Sequence, residues 1–384
     1  MPRVPEVQRH FAPWRLFFPS ALLLAPVNVL VWLTLRHGLV DGPFQVSAAW
    51  HGREMLFGYS FAVIAGYLLP AMRLPLVALI WLLWLAGRLL WLVPPATIDP
   101  WLELVIGGTF PAVLAALGTR RFLVVKRAQN LVFPLIFVAL GVAGLSSYAT
   151  DASLLPSLGR STAVLSVYVV ALLVMVMGGR AAATATVGAL RARGHYVTIP
   201  PRPGLEAAGV VGVLALVVLD GSGRSQGAAL AALAVAAILA LRMKDWHFSR
   251  ILHDPEVWPL HLGFVWLALG MALIGLERLA LVSPPDSGAL HALAAGGIGT
   301  ITLVMMVRVT RQRAGDVPAS VAWLQALQLS MALAVLVRVL GGWALPGHRA
   351  LMLWLSAGAW TMAFGLCGAV LLPAALRPAR AGSA

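Results

Sequence analysis

A chain of 384 residues that is 60% apolar and 11% charged, with a mean hydropathy of +0.88, has too little polar surface to fold as a soluble globule. It reads as an all-α, polytopic transmembrane bundle, because in lipid each backbone polar group must be satisfied within its own spanning segment. The net charge of +14 does not imply nucleic acid, since the basic residues are spread through short loops between apolar runs.

A basic arm with Arg3, Arg9 and Arg15 opens the chain. The apolar run from Trp14 to Leu35 (span 14–35) has about the ~20 residues that cross a bilayer and is longer than a signal-peptide core, so it is a retained first span. Spans two and three are expected at 50–70 and 74–93, joined by a tight turn between Pro70 and Pro75, followed by 101–118, 129–148 and 161–178. Residues 180–203 are polar and punctuated by Gly and Pro, and are expected to form the longest connection. Spans 205–219 and 227–243 are built of Ala, Val and Leu. Four more fall at 257–281, 288–308, 318–341 and 349–372, giving one integral membrane domain over 1–384 with about twelve spans. The single cysteine, Cys367, lies in the last of them, so there is neither a disulfide framework nor a CxxC metal site.

An even number of spans makes the loop charges informative. Twenty of the 28 basic residues share a side with the N-terminal arm, among them Arg120, Arg121, Lys126 and Arg127, while Arg36, Arg160, Arg224, Arg278 and Arg349 lie on the other. By the positive-inside rule both termini are cytoplasmic. The remaining three, Arg53, Arg88 and Arg338, lie within spans two, three and eleven on the extracytoplasmic half. His51, Glu54, Glu103, Glu277 and His291 fall at the same depth. Ionisable groups there mark a bundle interior, a cavity or a cofactor. Arg88 and Arg338 either pair with Glu54, Glu103 or Glu277, or bind the carboxylates of a ligand, since buried charges need partners in both cases.

Span two begins Trp50-His51-Gly52-Arg53-Glu54-Met55-Leu56-Phe57-Gly58. On an α-helix His51, Glu54, Met55 and Gly58 share one face, continued by Ala62, Ala65 and Gly66. A donor above a strip of small side chains leaves room for something flat and bulky; the plainer alternative is that these groups face lipid headgroups. Span ten begins in the same way, with His291, Ala295 and Gly299 on one face. Close helix packing accounts for its glycines and not for its histidine. His261 lies near the cytoplasmic end of span nine, too distant at ~1.5 Å per residue to share a ligand with His51. It is either an interfacial histidine or the ligand of a second site. Met55 offers a soft thioether beside His51. There is no G-x-S-x-G elbow, no phosphate loop with Lys and no dinucleotide fingerprint.

Four stretches, Trp50-His51-Gly52-Arg53-Glu54-Met55-Leu56-Phe57-Gly58, Met177-Gly178-Gly179-Arg180, His261-Leu262-Gly263-Phe264-Val265-Trp266-Leu267 and Leu290-His291-Ala292-Leu293 with the later Gly297-Ile298-Gly299-Thr300, resemble the NnrS family of bacterial polytopic membrane proteins. They occur in that family's order and approximate spacing. The resemblance implies a twelve-helix, multi-pass protein of the bacterial inner membrane that binds haem and copper and is associated with tolerance of nitric oxide and nitrosative stress. One departure stands out. The family's second motif usually reads W-H-A-H-E-M, and here Arg53 replaces its second histidine. An arginine has no free lone pair and cannot ligate a metal, so copper is lost or held differently. His51, His261 and His291 keep the other motif histidines, and Arg180 keeps the Gly-Gly-Arg motif, with Thr184 and Thr186 nearby to cap or bond the expected loop.

These features combine into an expectation of haem b in the extracytoplasmic half of the bundle, His51 and His291 as axial ligands, and Arg53, Arg88 and Arg338 beside the propionates, with Glu54 in the same group. Two axial histidines favour electron transfer or storage, and one open position lets the iron bind a small ligand such as nitric oxide. The alternative is a transporter or metal-handling permease whose charges line a path through the bundle. Against it, no paired Gly- or Pro-broken helices recur in two matching halves. A purely structural or assembly protein would leave the charge cluster without a purpose.

Overall fold

The computed structural model describes residues 10–39, 47–93, 97–124, 130–156, 161–315, 317 and 319–377. Helix α1 is Trp14–Arg36. A compound rod, α2, follows: Ala48–Arg53, a π-helical stretch Glu54–Ser60, and Phe61–Leu68. Then come α3 (Leu74–Leu89), α4 (Pro100–Val124), α5 (Val132–Asp151), α6 (Thr162–Ala192), α7 (Pro203–Gly221), α8 (Ser225–Met243) and α9 (Trp258–Arg278). A second compound rod, α10, joins Gly288–His291, π-helical Ala292–Gly299 and Thr300–Ala314. The last two are α11 (Val321–Ala344) and α12 (Arg349–Leu376).

Among the described residues eleven helices are long and apolar enough to cross a membrane, which makes this a polytopic helical membrane bundle. The remaining rod, α2, carries the polar mouth His51-Gly52-Arg53-Glu54. It is also the most enclosed: from Glu54 to Gly66 every residue but Met55 is buried. Its neighbours in the centre are α6 and α10, which bury 78% and 72% of their apolar windows, against 28% and 33% for the peripheral α7 and α8. A rod that brings ionisable groups into the middle of the bundle places them where charge is tolerated, away from lipid.

Small residues set the approach of the central helices. A Cβ on Gly270 of α9 would sit 2.6 Å from the backbone nitrogen of Leu293 in the π stretch of α10, so only glycine allows that contact. At one end of the bundle a short antiparallel pair, β1 (His10–Phe11) with β2 (Met72–Arg73), ties the N-terminal arm to the α2–α3 turn. Arg15 donates to the carbonyls of Ala375 and Arg377, joining the same end to α12.

The expected polar connection over 180–203 is not a loop along most of its length. Helix α6 continues through it to Ala192. The stretch after Arg180 is rich in Ala, with Leu and Arg, which are strong helix formers even where they are too polar to be embedded. Thr184 and Thr186 accordingly bond their own helix, at the carbonyls of Arg180 (2.9 Å) and Ala182 (2.8 Å).

Candidate functional site

Both π stretches face one cavity. It encloses about 400 Å³ between α1, α2, α6, α10, α11 and α12. A π turn holds more residues than an α turn and so rotates the chain that follows it, a device found frequently at functional sites. In α2 the rotation divides the expected face. His51 and Met55 line the cavity and are followed by Leu56, Tyr59 and Ser60. Glu54 turns away to Arg88, and a Cβ on Gly58 would meet Leu24 and Arg88. The widened turn has its own supports: Ser60 Oγ donates to the Met55 carbonyl at 3.0 Å, and Trp84 Nε1 donates to that of Gly58 at 2.9 Å. In α10, His291, Ala295 and Gly299 all line the cavity, joined by Ala294 and Ile298. Tyr59 Oη and Thr302 Oγ1, 2.7 Å apart, link the two rods.

His51 and His291 meet across this space, with ring centroids 6.4 Å apart and planes within 12° of parallel. Each ring is held by its Nδ1. That of His51 lies 2.6 Å from Asn28 Oδ1 on α1, and that of His291 lies 3.0 Å from the Ser287 carbonyl. With each Nδ1 donating to its carbonyl oxygen, each Nε2 is left with a lone pair, and that of His291 lies 3.4 Å from Arg338 Nη2. Trp32 stacks against His51 at 6.0 Å. At the mouth, Asp286 and Ser287 adopt left-handed backbone conformations, with φ of 51° and 61°. This arrangement, costly for residues with a Cβ, lets the Ser287 carbonyl take His291 and the Asp286 carbonyl take Arg338 Nη2 at 2.5 Å. The same Nη2 lies 3.2 and 3.4 Å from the two nitrogens of His291. Arg36 completes the mouth, 3.7 Å from the Asp286 carboxylate.

The family model for NnrS protein matches residues 11–379, nearly the whole chain. The chain belongs to the NnrS family. Comparison with curated proteins returns no match.

The motif residues that mark this NnrS chain occupy three separate places. His51, His291, Met55 and Arg338 share the cavity. Arg53, Glu54 and Arg88 do not line it. They form a buried ionic cluster in which Arg88 lies 2.7 Å from Glu54 and bonds Tyr148 Oη, and Arg53 lies 2.6 Å from Asp151 with its guanidinium over the Tyr148 ring. Glu103 is close enough to Arg53 and Asp151 to interact electrostatically with both. Glu277, part-exposed, lies 3.8 Å from Arg278, which grips the buried Asp220 at 2.8 and 3.1 Å while Tyr168 donates to Asp220 at 2.9 Å. His261 stands apart from all of these, 2% exposed, with Nε2 2.7 Å from Thr186 Oγ1 and its ring between Trp246 and Phe248. Arg180 bonds Glu206 at 2.5 Å and Asn130 at 3.2 Å. Its neighbour Gly179 leaves room for Arg242, whose Nη2 would lie 2.6 Å from an added Cβ.

The residues of the cavity fit a haem. Its volume lies in the ~300–1,000 Å³ range of cofactor sites. Two imidazoles with Nδ1 already engaged offer Nε2, the usual second-sphere arrangement for a ligating histidine. Trp360, which lines the cavity, has its Nε1 buried without a partner among the described residues, and so does Asn28 Nδ2 behind His51. Arg338 and Arg36 supply two cations at the mouth against the one carboxylate of Asp286. The residues do not fit a conventional copper cage. Among the described residues no three His, Cys, Asp or Glu side chains gather as metal ligands, and Arg53 is committed to Asp151.

Sequence reasoning does not single out Asn28, Trp32, Arg36, Asp286 or Trp360. Asn28 carries a readable signal, as the one amide in an otherwise apolar span. The role of the other four depends on which helices the fold brings together.

Proposed function

We propose that this NnrS protein is a haem protein of the bacterial inner membrane that serves the nitric oxide and nitrosative stress response. The haem lies in the cavity between His51 and His291, in the extracytoplasmic half of the bundle, and both termini are cytoplasmic. The observation that carries the reading is the pair of near-parallel imidazoles facing one cavity, each with Nδ1–H tied to a carbonyl oxygen.

The residues divide the work. Asn28 and Ser287 set the tautomer and aim of the two rings. Arg338 and Arg36, in place of the sequence candidates Arg53 and Arg88, hold the propionates by charge-assisted hydrogen bonds. The small side chains of Gly52, Ala294 and Ala295 give the flat group its space, and Tyr59 with Thr302 keeps the two histidine-bearing rods in register. A bound haem would supply one-electron redox chemistry if both His51 and His291 held the iron, or reversible binding of a diatomic gas if only one did. Titrating the dithionite-reduced protein with nitric oxide is the test. A shift of the Soret band that saturates near about one equivalent per haem is expected if one axial position opens to the gas. A spectrum unmoved by excess nitric oxide would remove nitric oxide from the proposal and leave an electron-transfer haem.

A further inference from the structure

A second concave feature lies away from the haem cavity, on the membrane-facing side of α4 and α5. It is a groove of about 580 Å³. Its floor is made of small residues, Ala112, Ala115 and Gly141, and is tight enough that a Cβ on Gly141 would sit 2.7 Å from that of Ala115. Its walls, Val138, Val142 and Leu145, are exposed hydrophobics. In a bilayer such a surface is covered by hydrocarbon.

What distinguishes the groove is its polar end. Arg120 lines it, is exposed, and makes no hydrogen bond or ion pair among the described residues. Thr119, beside it, has a buried hydroxyl that likewise lacks a partner. Several other arginines are engaged, Arg180 and Arg242 with Glu206, Arg308 and Arg311 with Glu256, and Arg202 with Asp245; what sets Arg120 apart is its place at the end of an apolar groove. Depth is consistent with a headgroup. The exposed Trp101 at the opposite end of α4 suits an interfacial anchor. The nineteen-residue separation of Trp101 and Arg120 spans ~28 Å at ~1.5 Å per residue, against a hydrocarbon core of ~30 Å. From Ala112 to Arg120 the groove runs ~12 Å, most of the ~15 Å that one leaflet's chains occupy.

We propose that the α4–α5 groove is a binding site for an anionic phospholipid of the leaflet on the Arg120 side. One acyl chain lies along Ala112, Ala115 and Ala116, and the phosphate rests on Arg120 and the Thr119 hydroxyl. A cation with no ion pair among the described residues, at the head of an apolar groove, favours a headgroup with net negative charge over a zwitterionic one.

Native mass spectrometry of the purified full-length protein with palmitoyl-oleoyl phosphatidylglycerol and palmitoyl-oleoyl phosphatidylcholine tests this. The wild type is expected to retain the anionic phosphatidylglycerol about fivefold better, the factor that one cation facing an anionic headgroup supplies. Arg120→Gln, at an exposed position, should remove the preference with unchanged thermal stability. Ala116→Phe, which fills the groove from an exposed position, should lower retention of both lipids. Equal retention of the two lipids by the wild type, an undiminished preference in Arg120→Gln, or undiminished retention in Ala116→Phe would each overturn the site. So would a dimer cross-linked efficiently through Ala116→Cys, which would assign the groove to a second copy of the chain.

Discussion

His51→Ala and His291→Ala are each expected to strip the purified protein of most of its haem, while His261→Ala leaves the haem content unchanged. The two cavity histidines offer Nε2 from opposite helices, and beyond this pair no other histidine or cysteine lines the cavity; the Met55 thioether is a weaker donor. His261 contributes its Nε2 to Thr186 and lies among Trp246 and Phe248, so its loss costs packing without touching the cavity. Asn28→Ala should fall between these cases. Releasing the Nδ1–H of His51 leaves the ligand in place but unaimed, and such outer partners are worth about 10–100-fold in metal affinity. Haem per chain, measured on variants that still insert and migrate as wild type, checks the set. Full haem occupancy in both His51→Ala and His291→Ala would refute the assignment.

Glu54→Gln is expected to be among the most destabilising single changes in the protein. Glu54 is 2% exposed and lies 2.7 Å from the equally buried Arg88 guanidinium, which also bonds Tyr148. An amide of the same shape removes the counter-charge and leaves a cation enclosed in the bundle, a situation that costs about 3–5 kcal/mol. Removing both charges is different. The double variant Glu54→Gln with Arg88→Met should recover much of the loss, because a buried ion pair replaced by neutral groups of similar size is often close to neutral in stability. Thermal unfolding in a fixed detergent reads both effects. A Glu54→Gln protein that melts with the wild type would show that this cluster does not hold α2 against α3 and α5. The proposed haem site has no ligand in this cluster, so the double variant should keep its haem.

The contrast between the two clusters explains what the sequence makes legible. Membrane spans are readable because hydrocarbon thickness sets a length and backbone satisfaction sets a helix. His51 and His291 are readable because a histidine at the head of an apolar, small-residue helix has no cheap structural excuse. The partition of the charges is not readable. Arg53, Glu54, Arg88, Glu103, Glu277, His291 and Arg338 are expected at one depth, and depth alone does not say which of them meet. In α2 Glu54 goes to Arg88 while His51 and Met55 stay on the cavity, and the π stretch that begins at Glu54 turns Gly58 towards Arg88 as well. Backbone hydrogen-bond register of this kind has no signature in composition or period. The same holds for Asp286 and Ser287, whose left-handed conformations place two carbonyls on His291 and Arg338. The helical extension of α6 past Arg180 fails for a simpler reason, since polarity marks the end of a membrane span and not the end of a helix.

The absorption spectrum of the wild-type protein purified in detergent, oxidised and dithionite-reduced, with iron and copper quantified on the same sample, tests the central claim most directly. A haem held by His51 and His291 is expected to give a Soret band that sharpens and shifts on reduction, about one haem iron per chain and little copper. A protein expressed with ample haem that shows no Soret band and no iron would contradict it, and would leave the His51–His291 cavity to some other ligand.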